Sequence, residues 1–133
     1  MPEGPELQER LTAVLGEILP VDQESDGGLT IRHDGTYASL RVVGIVEGLD
    51  LISLTQVLAW DLVLAKKIRD RVADAAHNTL LGSVALVEKE SGKSADVMLR
   101  YNFPGNGLTD EALRTLILMV LERGAEIRRA LTA

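Results

Sequence analysis

The run from Thr36 to Asp61 restricts this chain most, because it is long, apolar and built from residues unsuited to a helix. Thr36, Tyr37, Val42, Val43, Ile45, Val46, Ile52, Thr55, Val57 and Trp60 are β-branched or aromatic, the types that fit a pleated, half-buried surface. Gly48, Leu49 and Asp50 interrupt the run once. It therefore reads as two long antiparallel strands, Tyr37 to Val46 and Leu51 to Asp61, at the middle of a sheet.

The flanking segments extend or cover that sheet. From Pro5 to Leu19, the apolar residues Leu7, Leu11, Val14, Leu15 and Ile18 make one stripe of a helix that Pro20 stops. Val21 to Gly28 reads as an acidic loop. Leu29 and Ile31 alternate with Thr30 and Arg32, and Asp34-Gly35 is a hairpin signal into the central run. This register puts Leu29, Ile31, Ala38, Leu40 and Val42 on one face and Tyr37, Ser39, Arg41 and Val43 on the other. Beyond Asp61 the period changes to that of a helix, with Leu64, Ile68, Val72, Ala75 and Ala76 on one side. Leu80 to Lys89 returns to strand, Glu90 to Ser94 is a turn, and Val97, Leu99, Tyr101 and Phe103 alternate along a fifth strand. Thr109 is the expected N-cap of a last helix reaching Leu131, with Asp110 and Glu111 in its first turn. The expected fold is α+β, in the order α-β-β-β-α-β-β-α, with one five-stranded antiparallel sheet in a single domain over residues 1–133.

Composition removes several function classes. The 133 residues include no cysteine, which excludes disulfides, thiolate metal sites and cysteine nucleophiles, and points to a cytoplasmic setting. No apolar run reaches membrane-spanning length, and the start of the chain has neither the basic nor the apolar region of a signal peptide. Twenty acidic and fourteen basic residues leave a formal net charge of −6, which repels phosphate backbones and anionic lipid alike. Neither nucleic acid nor membrane is an expected partner.

The element order, together with Leu64 to Gly82 (LAKKIRDRVADAAHNTLLG), Leu99 to Pro104 (LRYNFP) and Leu108 to Leu113 (LTDEAL), resembles the YbjN family of small bacterial proteins. That family is similar in fold to the small dimeric chaperones of type III secretion. The resemblance implies an antiparallel sheet with flanking helices that binds protein or peptide, often as a dimer, in a chaperone-like, sensory or regulatory role. It brings no catalytic residue and no cofactor.

Other strings are weaker. Met1-Pro2-Glu3-Gly4-Pro5-Glu6 matches the start of DNA glycosylases of the Fpg/Nei type, which would make the Pro2 amine a nucleophile and Glu3 an aid to ring opening. The acidic balance opposes this alternative, as does a length about half that of such enzymes. Ser91-Gly92-Lys93-Ser94 ends like a phosphate-binding loop, but Val87 stands where the pattern needs glycine and a strand follows. Asp22 to Gly27 resembles the first half of a calcium loop, with His33 where the closing glutamate belongs. His33 and His77 lack further ligands at a recognisable spacing, so no metal site is expected. No serine sits in a glycine-flanked elbow. Trp60 has the parity of Ile52, Leu54 and Leu58 and is expected in the core.

The expected function is therefore a non-enzymatic module that binds a protein or peptide, the alternatives being the glycosylase or a structural subunit of a larger complex. Part of one sheet face should stay open, presenting Tyr37, Arg41, Val43, Met98 and Arg100 to a peptide. Leu113, Leu116, Ile117, Val120, Ile127 and Leu131 form the core stripe of the last helix, where Gly124 allows close approach to the sheet. Leu118 and Met119 point away from that stripe and are the expected interface of a homodimer.

Overall fold

The computed structural model describes the backbone of residues 3–132 and the side chains of residues 6–132. Helix α1 (Glu3–Gly16) leads into β1 (Val21–Gln23), β2 (Leu29–His33), β3 (Thr36–Val46) and β4 (Leu49–Val63); α2 (Lys66–Asn78), β5 (Ser83–Glu88), β6 (Ser94–Pro104) and α3 (Asp110–Thr132) follow. All pairings are antiparallel and the spatial order is β1-β2-β3-β4-β6-β5. The sheet has six strands where five are expected. The additional strand is β1, at the start of the segment that reads as a loop, where Val21, Asp22 and Gln23 pair with Ile31, Thr30 and Leu29. Three residues carry too little alternation to register as a strand, so β1 owes its conformation to the β2 edge beside it.

The expected facing of the central hairpins is observed. Leu29 opposes Leu40 and Ile31 opposes Ala38 across β2 and β3, and Leu40 opposes Leu54 across β3 and β4. These side chains are fully buried, with Ile52, Leu58, Val97 and Leu99 from the same side of the sheet. The β3–β4 turn is tighter than expected. It uses only Glu47 and Gly48, the glycine at φ +83, so that Leu49 and Asp50 belong to β4. Buried Asp50 ties this end of the sheet to the connection between β6 and α3, its amide donating to Asn106 Oδ1 and its carbonyl accepting from the Gly105 amide.

All three helices pack on the one buried side. Leu7, Leu11, Val14 and Leu15 are the buried stripe of α1, as the spacing predicts, but the helix ends at Gly16 rather than Leu19. Two turn hydrogen bonds to the Leu15 carbonyl, from the Ile18 and Leu19 amides, complete the stop. On α3 the buried residues are Leu113, Ile117, Val120, Leu121, Gly124, Ala125, Ile127 and Leu131. Thr109 Oγ1 accepts from the Ala112 amide at 3.1 Å, the expected N-cap. Arg10 pairs with Asp110 at 2.9 Å and Arg114 with Glu17 at 3.4 Å, which binds α1 along the first half of α3. Helix α2 buries Val72, leaves Ala76 exposed and packs beside β5 and α3.

Trp60 is not in the core; it is 52% exposed. The parity that would bury it fails because the β4–β6 register shifts twice, between Val57 and Ala59 and again between Ala59 and Leu62. The first bulge buries the neighbours Leu58 and Ala59 together and turns Trp60 outward. Asp61 then takes a left-handed conformation at φ 54. Arg128 of α3 covers the indole at 5.6 Å from its centroid while donating to the Leu58 carbonyl at 2.8 Å. The bulge thus replaces apolar burial of the ring by a cation over its face.

Candidate functional site

Because the helices share one side, no helix of the described residues lies on the other face of the sheet. The register brings four of the five expected residues into neighbouring cross-strand rows. One row runs Arg32, Tyr37, Val57, Met98, Ala85 from β2 to β5. The next contains Ser39, Thr55, Arg100 and Ser83, and the one after it Arg41, Ser53 and Asn102. Val43 lies one row further, opposite Leu51, which pairs with Pro104. Tyr37 is 41% and Val43 43% exposed, Arg41 and Arg100 are exposed, and Met98 is half-buried between its neighbours. Neighbouring strands lie about 4.8 Å apart, so Tyr37 and Met98, two strands apart, flank Val57 across roughly 10 Å.

The acidic segment from Glu24 to Gly28 closes one border of this face. Glu24 accepts from the hydroxyl of buried Thr30 at 2.8 Å. Asp26 forms a short ion pair with Arg41, and the guanidinium lies against Gly28. The Gly28 amide and then Arg41 hold the Asp26 carboxyl below the usual carboxylate range. Glu24 and Asp26, two of the acids in the string that resembles a calcium loop, are thus engaged with protein groups. Arg41 is therefore a neutralised member of the face. Arg32 and Arg100 have no carboxylate partner among the described residues, so the unbalanced positive charge sits at the β2 end of the Tyr37, Val57 and Met98 row and in the row beside it.

At the far end of β6, Asp96 accepts from the Asp61 amide at 3.0 Å and pairs with Lys89 at 3.1 Å. The amide first and the ammonium second hold its carboxyl below the ordinary range, and Asp96 in turn raises the Lys89 ammonium. This pair fixes the second β4 bulge.

The remaining strings take structural places. Ser91 to Lys93 lie in the turn between β5 and β6, where Gly92 adopts φ +70 and the Lys93 amide donates to Ser91 Oγ. His33 is brought to Glu122 of α3 at 2.9 Å and to Asp34 at 3.9 Å, a grouping that sequence spacing does not reveal because 89 residues separate its ends. Arg129 reaches the same Asp34 at 3.8 Å, so a cation already faces this cluster. Pro2 lies outside the described residues, as does the side chain of Glu3.

Of the expected dimer residues, Leu118 is half-buried and Met119 is 51% exposed. Met119 borders a shallow 190 Å³ depression with Asn78, Leu80, Leu81 and Arg123, in which Leu80 is 88% exposed. A polar residue that the sequence reading passed over is Gln56, fully buried in the core row between Leu54 and Leu58. Its Nε2 donates to Thr36 Oγ1 at 2.8 Å and to the Leu121 carbonyl at 3.1 Å. Strict alternation from Leu54 to Leu58 was the signal that could have found it.

The fold and the face together define a two-layer α+β protein, with an antiparallel sheet covered by helices on one side and open on the other. No protein-family model matches the chain, and no curated protein does. Among solved structures it is similar to the crystal structure of YbjN, a proposed transcription regulator from E. coli. The TM-score is 0.59 at 12% identity, over 94% of this chain and 88% of that one. The similarity confirms at the level of the fold the family resemblance seen in the sequence. No helix among the described residues is long and apolar enough to cross a membrane.

Proposed function

We propose that this protein is a non-catalytic binding module that holds a segment of another protein on its open sheet face, in a regulatory or chaperone-like role in the cytoplasm. The observation that carries the reading is the row of Tyr37, Val57 and Met98, uncovered by any helix of the described residues, with Arg32 at its β2 end and Arg100 in the next row, neither paired with a carboxylate among the described residues. An extended or amphipathic acidic segment suits it, since apolar side chains would cover the row while carboxylates meet the arginines. Val43 adds a separate apolar contact toward the β3–β4 turn, two polar rows away, and Arg41 becomes available when Asp26 yields to a stronger anionic partner. The fold shared with YbjN, a proposed regulator, is compatible with this role.

The test compares partners recovered with the native protein and with two face variants, Val43→Glu and Arg100→Glu. Loss of the same partner from both supports the reading. Full retention by both removes the face as the binding site. Borohydride trapping on abasic DNA examines the glycosylase alternative, for which a covalent adduct through Pro2 is the required outcome.

A further inference from the structure

The sheet ends on two unlike edges. β1 is three residues long, exposes Asp22 and Gln23, and runs into the acidic loop, which are the usual protections of an edge against pairing with another chain. β5 has none of these. It is six residues of unbroken register, Ser83–Glu88, without proline or bulge, and Val84, Ala85, Leu86 and Val87 follow one another in it. Its one charge, Glu88, stands at the end and is held by Arg69 of α2 at 2.7 Å. Its inner edge is bonded to β6, and among the described residues no backbone group pairs with the outer one.

We infer that the outer edge of β5 is where two copies of this chain join, antiparallel, about a two-fold axis through Ala85. The strand is complementary to itself in that register. Val84 meets the partner subunit's Leu86 on the helix side, where both already lean on the core. Ser83 meets the partner subunit's Val87 on the open side, and Ala85 meets its own copy. No like charges are opposed, and about four to six ladder hydrogen bonds form. Moving the axis to Leu86 would set Val84 against Glu88, moving it to Val84 would leave only Ser83 to Ala85 paired within the strand, and a one-residue slip would exchange the two faces, so the edge favours one pairing. A second copy is the occupant because one strand supplies both halves of the match.

The joined sheet carries the row of Tyr37, Val57, Met98 and Ala85 across the axis into the same row of the other copy, doubling the open face. The pairing stands without the peptide-binding reading. It also differs from the α3 interface expected from sequence, where Leu118 is half-buried and only Met119 of the pair is exposed.

Light scattering behind a sizing column, with the full chain at tens of micromolar, should give twice the chain mass. Ala85→Lys places two ammonium groups face to face at the axis and should give a monomer with unchanged circular dichroism, Ala85 being exposed. The chain has no cysteine, so Ala85→Cys provides a positional test. Opposed Cα atoms in such a ladder lie about 4.5–5.5 Å apart, within disulfide reach. Ala85→Cys should cross-link to its own copy under mild oxidation. Ser83→Cys or Val87→Cys alone should not, whereas a mixture of the two should. A monomeric native chain overturns the inference. So does a dimer that survives Ala85→Lys but is lost on Leu118→Glu with Met119→Glu, or Ser83→Cys cross-linking alone as readily as Ala85→Cys.

Discussion

Gly124 of α3 rests directly on the side-chain amide of Gln56: a β-carbon at Gly124 would come within 2.0 Å of Gln56 Oε1 and 2.4 Å of Cδ. The helix approaches β4 this closely because neither partner has a branch at the contact, and the Gln56 amide donates to the Leu121 carbonyl one turn earlier. Gly124→Ala should cost about 1–3 kcal/mol as overpacking of a filled core. Gln56→Ala should be destabilising alone, by a cavity and by loss of its bonds to Thr36 and Leu121, yet should absorb most of the penalty of Gly124→Ala. Denaturant unfolding of the two single variants and the double one measures the coupling, and strict additivity would refute the contact.

Acidification should weaken the fold through Asp96. Its carboxyl lies below the ordinary range in the folded chain, chiefly because of the Asp61 amide and then because of Lys89. A lowered folded value stabilises the protein above the unfolded carboxylate pKa, about 3.9, and the stabilisation is lost as pH falls through the folded value. The midpoint of thermal unfolding should fall through this acid range less steeply in Asp96→Asn than in the native chain. Equal slopes would show that the carboxylate has no folding-linked titration.

The open face should be separable from stability. Val43→Glu and Arg100→Glu alter exposed side chains outside the core, so each should change unfolding free energy by no more than about 0.5 kcal/mol while abolishing capture of a partner. A larger stability loss would mean that these residues belong to the fold instead.

Thr109→Ala removes the oxygen that accepts from the Ala112 amide and should cost about 1 kcal/mol, with Thr109→Ser retaining most of it. Chemical denaturation read by far-ultraviolet circular dichroism checks both.

Trp60→Ala offers a direct check on the bulge. A core tryptophan would cost about 3–5 kcal/mol on truncation, whereas a half-exposed one under Arg128 should cost about 1 kcal/mol, chiefly a cation-ring contact. The native fluorescence should accordingly be open to quenching by acrylamide.

Trp60 also marks where reading the chain in order ceases to work. Alternation places Leu29, Ile31, Ala38, Leu40, Ile52 and Leu54 correctly because each side of a strand repeats every second residue as long as the ladder is regular. The β4 bulges break that count at Leu58, and nothing in the Val57 to Asp61 string announces them; the second is held by the Asp96 carboxylate 35 residues away. Strand β1 escaped notice for a related reason, being created by its neighbour. The open face was legible in its composition, since Tyr37, Arg41, Val43, Met98 and Arg100 all have the right parity. Its electrostatics were not, because the Asp26 to Arg41 pair depends on how the loop folds back over β2.

The placement of both terminal helices against each other constrains the order in which this protein can be made. Helix α1 is synthesised first, with Leu7, Leu11, Val14 and Leu15 already patterned, but Arg10 waits for Asp110 and Glu17 for Arg114, 100 and 97 residues later. Its stripe meets β3 and β4 first, and at about 5–20 residues per second its cover is completed by α3 only roughly 5–20 s after α1 itself is made. The loop so closed also spans most of the sequence, which slows folding even after release because its entropy is lost before the contacts repay it. Helix α1 is therefore the helix that waits longest between its own synthesis and the last of its contacts.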